Sequence, residues 1–202
     1  MNNYKTLIIL DWDDTIFPTS WIARNNINLN DNVLMKNKYF DMFSILDSIL
    51  CKLFTKFLIF GKVLIVTNAS AKWVNISAQH LPNLLKIINK SITIISARDL
   101  FQNEYPDKIY LWKKLTFNKL IISISQYKLQ NILSIGDAEY EFNATIDLYN
   151  EYARLNQRLL KTIRFMKNPS FDDLIDELNV LYLCSENIIK NINHVDLMFK
   201  IK

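Results

Sequence analysis

Five short, apolar, β-branched segments, Thr6 to Leu10, Val63 to Val66, Ile92 to Ile95, Ile132 to Ile135 and Lys161 to Phe165, alternate along the chain with longer stretches of helical spacing. Each short segment has the length and residue types of a strand, whereas Trp73 to Ile88, Lys108 to Ile122 and Glu139 to Leu155 repeat their apolar positions every three to four residues. Strands that alternate with helices bury both kinds of element most directly when the strands lie parallel and the helices cover both faces. The expected fold is therefore a doubly wound α/β three-layer sandwich with a mostly parallel, five-stranded sheet. After the last strand, Pro169-Ser170-Phe171-Asp172-Asp173 reads as a helix start with Ser170 as the cap. The helix it opens should run to about Lys190, so 170–195 is expected to be a C-terminal segment docked on the sheet by Leu174, Ile175, Leu178, Leu181 and Tyr182. With no Pro-, Gly- or Ser-rich linker and no internal repeat, residues 1–202 read as a single domain.

The 202 residues, 50% apolar and 22% charged, have the balance of an ordinary globular protein and exclude a disordered, collagen-like or coiled-coil chain. The longest uncharged run, Trp73 to Leu85, is interrupted by Asn, Ser, Gln and His and falls short of the roughly 20 apolar residues of a membrane span. The first residues lead straight into an acidic cluster, so no secretory signal peptide is expected, and Cys51 and Cys184 alone suit a cytoplasmic, intracellular setting. A net charge of +4 is spread along the chain, with no basic stripe, zinc ligands or aromatic RNA platform. Neither a membrane nor a specific nucleic-acid module is indicated.

The chemistry gathers at the ends of the strands. Asp11-Trp12-Asp13-Asp14-Thr15 puts three carboxylates straight after the first strand; the second closes on Thr67-Asn68, and the fourth on Gly136-Asp137 with Glu139 and Glu141 just beyond. In an open parallel sheet, ligands bind outside these carboxyl ends. Like charges crowded there are unfavourable unless a cation is bound or a proton is shared, and hard oxygen ligands suit Mg²⁺. Taken alone, the first cluster reads equally well as an acidic turn. Its recurrence along one sheet edge describes a surface that, given a cation, could hold a phosphate and present a carboxylate to attack it.

These residues, in this order, resemble the haloacid dehalogenase-like superfamily of phosphohydrolases. Asp11-x-Asp13-x-Thr15 is similar to its first motif, Thr67 after Val63-Leu64-Ile65-Val66 to its second, Lys113 to its third and Gly136-Asp137-x-x-x-Glu141 to its fourth. Val66-Thr67-Asn68-Ala69, Trp73-Val74, Ser96-Ala97-Arg98 and Trp112-Lys113-x-x-Thr116-Phe117 resemble a branch found in protists and plants, a likeness that names no substrate. The resemblance implies two-step phosphoryl transfer with Mg²⁺ as cofactor. Asp11 would be the nucleophile that forms an aspartyl-phosphate, and Asp13 the general acid and base. Asp11, the main-chain carbonyl of Asp13 and Asp137 would hold the metal, with Glu141 orienting a metal-bound water. Thr67 and the N–H of Asn68 would hold the phosphate, and Lys113 would offset its charge.

Several positions keep two readings. Lys113 and Lys114 are neighbours about 100° apart on a helix, so one alone can aim at the site, and placement after Trp112 favours Lys113. The family spacing prefers Glu141 to Glu139, whose alternative is an exposed helix face. Asp14 reads as a solvated turn or helix cap rather than a ligand. Arg98 could grip a substrate anion or form a salt bridge with Asp99 or Glu104. Trp12, with Phe17, Pro18 and Trp21, could line the entrance and contact substrate, or pack a flap. His80 and His194 have no sequence neighbour that suggests a ligand or base, and Cys51 reads as a small buried hydrophobe.

Members of this family usually carry an inserted cap domain. Here 16–60 has room for a flap and one helical stretch, Val33 to Phe60, and the interval from Thr67 to Lys113 is filled by a helix, a strand and the start of another helix. No large cap domain is expected, and the open site would admit phosphorylated substrates up to the size of proteins and nucleic acids. The leading expectation is a phosphomonoesterase. A silent phosphate-binding scaffold and a phosphotransferase or mutase are the alternatives, and the oligomeric state is left open.

Overall fold

The computed structural model describes residues 5–124, 129–151 and 158–200. In chain order the elements are β1 (Thr6–Leu10), α1 (Thr19–Arg24), α2 (Asn32–Leu34), a π-helical turn (Met35–Tyr39), α3 (Phe40–Phe60), β2 (Gly61–Thr67), α4 (Ala71–Ala78) and α5 (Pro82–Ser91). They continue with β3 (Thr93–Ser96), α6 (Ala97–Phe101), α7 (Ile109–Ile124), β4 (Asn131–Gly136), α8 (Glu139–Glu151), β5 (Leu159–Arg164), α9 (Phe171–Lys190) and β6 (Val195–Met198).

The strands form one parallel sheet in the order β3-β2-β1-β4-β5-β6. β1 is buried along its whole length, and its alternate residues feed two cores. Ile8 and Leu10, with Val63, Ile65, Leu133 and Ile135, meet the apolar faces of α3, α5 and α9. Leu7 and Ile9, with Leu64, Val66 and Ile132, meet Phe117 of α7 and Ala144 and Leu148 of α8. A strand buried on both faces needs mostly apolar residues, which is why these strands read as largely apolar runs. The fold is the expected three-layer α/β sandwich, and the strand order reverses across the sheet between β1 and β4, the place at the carboxyl edge where ligands bind in open parallel sheets.

Two expectations are corrected. The sheet has six strands: β6 pairs with β5 at the edge, and its Val195–Met198 segment is only four residues long and mostly exposed, too short to stand out as a strand. The helix of the C-terminal segment 170–195 ends at Lys190, as expected, and the rest of the segment turns into β6. The helix expected over Trp73 to Ile88 is two, because Pro82 lacks an N–H for the helical ladder and starts α5 instead. The buried Asp47 of α3 accepts the main-chain N–H groups of Asn83 and Leu84 at 3.0 and 2.8 Å and so caps α5 from outside. Ser170 and Asp173 form the reciprocal capping box of α9. Of the helix expected over Glu139 to Leu155, residues 152–155 lie outside the described residues. Among the described residues no helix is long and apolar enough to cross a membrane.

Candidate active site

The site is built where β1 and β4 part. Leu10 pairs with Ile135, and the N–H of Asp11 still bonds to the carbonyl of Ile135 at 3.0 Å, so Asp11 leaves the sheet beside the end of β4. The chain then turns sharply. The N–H groups of Ile16 and Phe17 both reach the carbonyl of Trp12 at 2.9 Å, and Asp14 takes a positive φ of 52° while its N–H bonds to the carbonyl of Phe17. Asp14 is buried rather than solvated, and its carboxylate accepts the N–H and hydroxyl of Ser20 in α1. It anchors the loop. Asp13 stays half exposed at the edge, with Oδ1 accepting from Thr19 Oγ1 at 2.5 Å and from Trp73 Nε1 at 2.8 Å.

Lys113 enters from α7, fully buried, with Nζ 2.6 Å from Asp11 Oδ1 and 2.5 Å from Glu141 Oε1. Burial alone would lower its pKa, but the carboxylates of Asp11 and Glu141 outweigh that and hold it above the usual lysine range. Lys114 turns away to Asp147 at 2.8 Å, so of the two adjacent lysines Lys113 is the one at the site. Glu141 folds back over the start of α8, its Oε2 accepting the N–H of Ala138 at 2.7 Å. Gly136 makes room for this: a Cβ there would stand 2.6 Å from that oxygen. Glu139 is exposed, with the exposed Lys167 4.0 Å away.

Asp11, Asp137 and Glu141 bring carboxylate oxygens within 4.8 Å of one another. Carboxylate oxygens gathered this closely are consistent with a metal site. The charge balance points the same way, since Lys113 is one ammonium among three carboxylates. Burial, and then the neighbouring Asp11 and Glu141, push Asp137 up to about 8. Burial pushes Glu141 up to about 7, against the pull of Lys113. Asp13 is likewise raised, by burial first and by Asp11 second. Both oxygens of Glu141 are already engaged by Lys113 and Ala138, which suits it to hold Lys113 and leaves Asp137 and Asp11 to meet a cation.

Thr67, at the end of β2, is buried and its Oγ1 accepts the N–H of Ala69 at 3.0 Å, which leaves the hydroxyl proton to be donated. Asn68 follows it, half buried, with Nδ2 donating to the carbonyl of Ile109 at the start of α7. Arg98 lies at the neighbouring end of β3 with its guanidinium 5.8 Å from the ring of Trp112. The salt bridge to Asp99 does not form, because Asp99 instead accepts the N–H of Ala71 at 2.8 Å. Arg98 Nε is buried with no hydrogen-bond partner.

Trp12 is a correction. It is fully buried, stacked on Phe17, with Nε1 donating to Ser77 Oγ at 2.9 Å; it packs the core beneath the loop and offers no surface to a substrate. Sequence reasoning passed over Thr19, and it quoted Trp73 without giving it a role. Trp73 stands in the first turn of α4, just after the Thr67 turn, and that proximity to a strand end was the available signal.

No protein-family model matches this chain, and no curated protein matches it. Two solved structures are similar to it. One is a conserved haloacid dehalogenase-like protein of unknown function from Agrobacterium tumefaciens, 13% identical over 96% of this chain and 92% of that one, with a TM-score of 0.41. The other is a haloacid dehalogenase family hydrolase from Deinococcus radiodurans with bound phosphate and sodium, 10% identical over 94% of this chain and 99% of that one, with a TM-score of 0.40. At these values neither likeness bears on the chemistry, which rests on the side chains described above.

Proposed function

We propose that the chain is a Mg²⁺-dependent phosphomonoester hydrolase of the haloacid dehalogenase-like type that its motifs resemble. The observation that carries this reading is the buried Lys113 held between Asp11 and Glu141, with Asp137 completing the acidic group at the carboxyl edge of a parallel sheet.

Asp11 Oδ1 is occupied by Lys113, and no described residue engages Oδ2, which is the oxygen free to attack. Asp11 attacks phosphorus, the bond from phosphorus to the ester oxygen breaks, and that oxygen takes a proton from Asp13, leaving an aspartyl-phosphate. The Asp13 carboxylate then takes a proton from the water that attacks phosphorus, and phosphate leaves with Asp11 restored. Burial, and then the neighbouring Asp11, raise the proton affinity of Asp13, the direction that favours a proton donor. The Thr67 hydroxyl and the main-chain N–H of Asn68 hold the phosphate oxygens, and Lys113 offsets their charge. Mg²⁺, when bound by Asp11, Asp137 and the main-chain carbonyl of Asp13, supplies the remaining positive charge facing the phosphate.

The substrate is a phosphate ester. The chain from Thr15 to Thr67 is taken up by α1, α2, the π-helical turn, α3 and β2, and that from Thr67 to Lys113 by α4, α5, β3, α6 and the start of α7, which supports an uncapped edge able to admit bulky esters, proteins and nucleic acids among them. Arg98, with no carboxylate within ion-pair distance among the described residues, stands where it could grip a second anionic group. The test is release of phosphate from an aryl phosphate with Mg²⁺. Wild type should turn over and Asp11→Asn should not; equal rates in the two would end this reading.

A further inference from the structure

Two hydrogen bonds converge on one oxygen of Asp13. Thr19 Oγ1 donates to Oδ1 at 2.5 Å from the start of α1, and Trp73 Nε1 donates to the same atom at 2.8 Å from the first turn of α4. Among the described residues nothing donates to Oδ2. With Oδ1 already accepting two donors, Oδ2 is the oxygen left to carry a proton, and the pair holds the Asp13 side chain in one rotamer.

Both donors are themselves held, Thr19 by its main-chain N–H, which donates to the carbonyl of Phe17 at 2.8 Å, and Trp73 from two sides. The Trp73 ring meets Phe17 edge-on, 5.9 Å between centroids, and its main-chain N–H is capped by Ser70 Oγ at 3.2 Å. One turn further along α4, Ser77 Oγ accepts Trp12 Nε1 at 2.9 Å and donates to the carbonyl of Trp73 at 2.8 Å. α4 therefore grips the loop on both sides of the bond between Trp12 and Asp13. It also follows within four residues of Thr67, so one short piece of chain carries both the phosphate-holding hydroxyl and the donor that aims the acid.

We infer that Trp73 and Thr19 are positioning residues: by occupying Oδ1 of Asp13 they present Oδ2, and its proton, to the oxygen that leaves phosphorus. The inference rests on the proposed role of Asp13 and adds a substrate preference, because an acid aimed in this way matters most for esters of poor leaving groups, such as alkyl phosphates. An aryl ester whose anion departs without a proton gains little from it.

The test compares kcat on an alkyl phosphate and on 4-nitrophenyl phosphate, both with Mg²⁺, for wild type, Trp73→Phe and Thr19→Val. Trp73→Phe keeps a ring against Phe17 and removes only the N–H; Thr19→Val keeps the shape and removes the hydroxyl. General acid catalysis is worth roughly 10²- to 10⁴-fold, so partial loss of aim should lower kcat on the alkyl ester by about tenfold or more in each variant and on the aryl ester by less than about threefold, with KM little changed. An active wild type with variants that lose the same factor on both esters, or lose nothing on either, overturns the inference and leaves the phosphatase reading standing. A wild type that turns over neither ester overturns both.

Discussion

The ammonium of Lys113 lies 2.6 Å from Oδ1 of Asp11 in a site where neither side chain is more than 4% exposed. Removing one partner of a buried pair leaves the other uncompensated, at a cost of about 3–5 kcal/mol. Lys113→Met should lower the melting temperature clearly and reduce turnover by roughly 10²-fold or more. Lys114→Met breaks a partly exposed pair with Asp147 and should change stability by at most about 1 kcal/mol. Chemical denaturation of the two variants, with turnover measured alongside, checks the contrast, and equal effects would contradict it.

Stability should depend on pH and Mg²⁺ together. Asp137 is pushed up to about 8 and Glu141 to about 7, so both hold protons in the folded chain at pH values where the unfolded chain has released them. Glu177, buried in α9 with only Oε1 bonded, to the N–H of Met166, is also pushed up to about 7. For groups raised in this way the stability present below about pH 4 is lost as pH rises towards 8. Mg²⁺ needs the deprotonated carboxylates, so its stabilisation should be small at pH 5 and larger at pH 8, reaching about 2.7 kcal/mol at a hundredfold excess over its dissociation constant. Thermal melts at the two pH values, with and without Mg²⁺, measure this. Asp137→Asn should raise the metal-free melting temperature at pH 8 and abolish the Mg²⁺ shift.

Gly136→Ala tests how closely Glu141 is drawn in. The new methyl would stand 2.6 Å from Glu141 Oε2, so the carboxylate must swing away from Lys113 and from the N–H of Ala138. A cost of about 1–3 kcal/mol is expected from the crowding, with a loss of turnover. Unchanged stability and turnover would show that Glu141 has room to spare.

What could be seen in the sequence follows from how each element is buried. β1, β2 and β4 are enclosed on both faces, which demands the largely apolar runs that mark them, with the buried Ser134 of β4 satisfied by Thr145. β6 lies at the edge with most of its residues exposed and is too short to stand out. Helical spacing alone leaves Lys113 and Lys114 open; placement after Trp112 favours Lys113, and the contact with Asp11 gives the physical reason. Trp12 kept two readings because an aromatic beside an acidic motif looks the same in sequence whether it faces outward or, as here, inward to Ser77. The bond from Trp73 to Asp13 joins two separate elements and exists only after folding.

The central claim is that Asp11 becomes the phosphate carrier, and the most direct measurement is acid-quenched peptide mapping by mass spectrometry of the protein turning over an aryl phosphate with Mg²⁺. We expect a phosphoryl group on the peptide that contains Asp11 in wild type, and none in Asp11→Asn. Turnover with the phosphoryl group on another residue, or with no covalent adduct and full activity in Asp11→Asn, would contradict it.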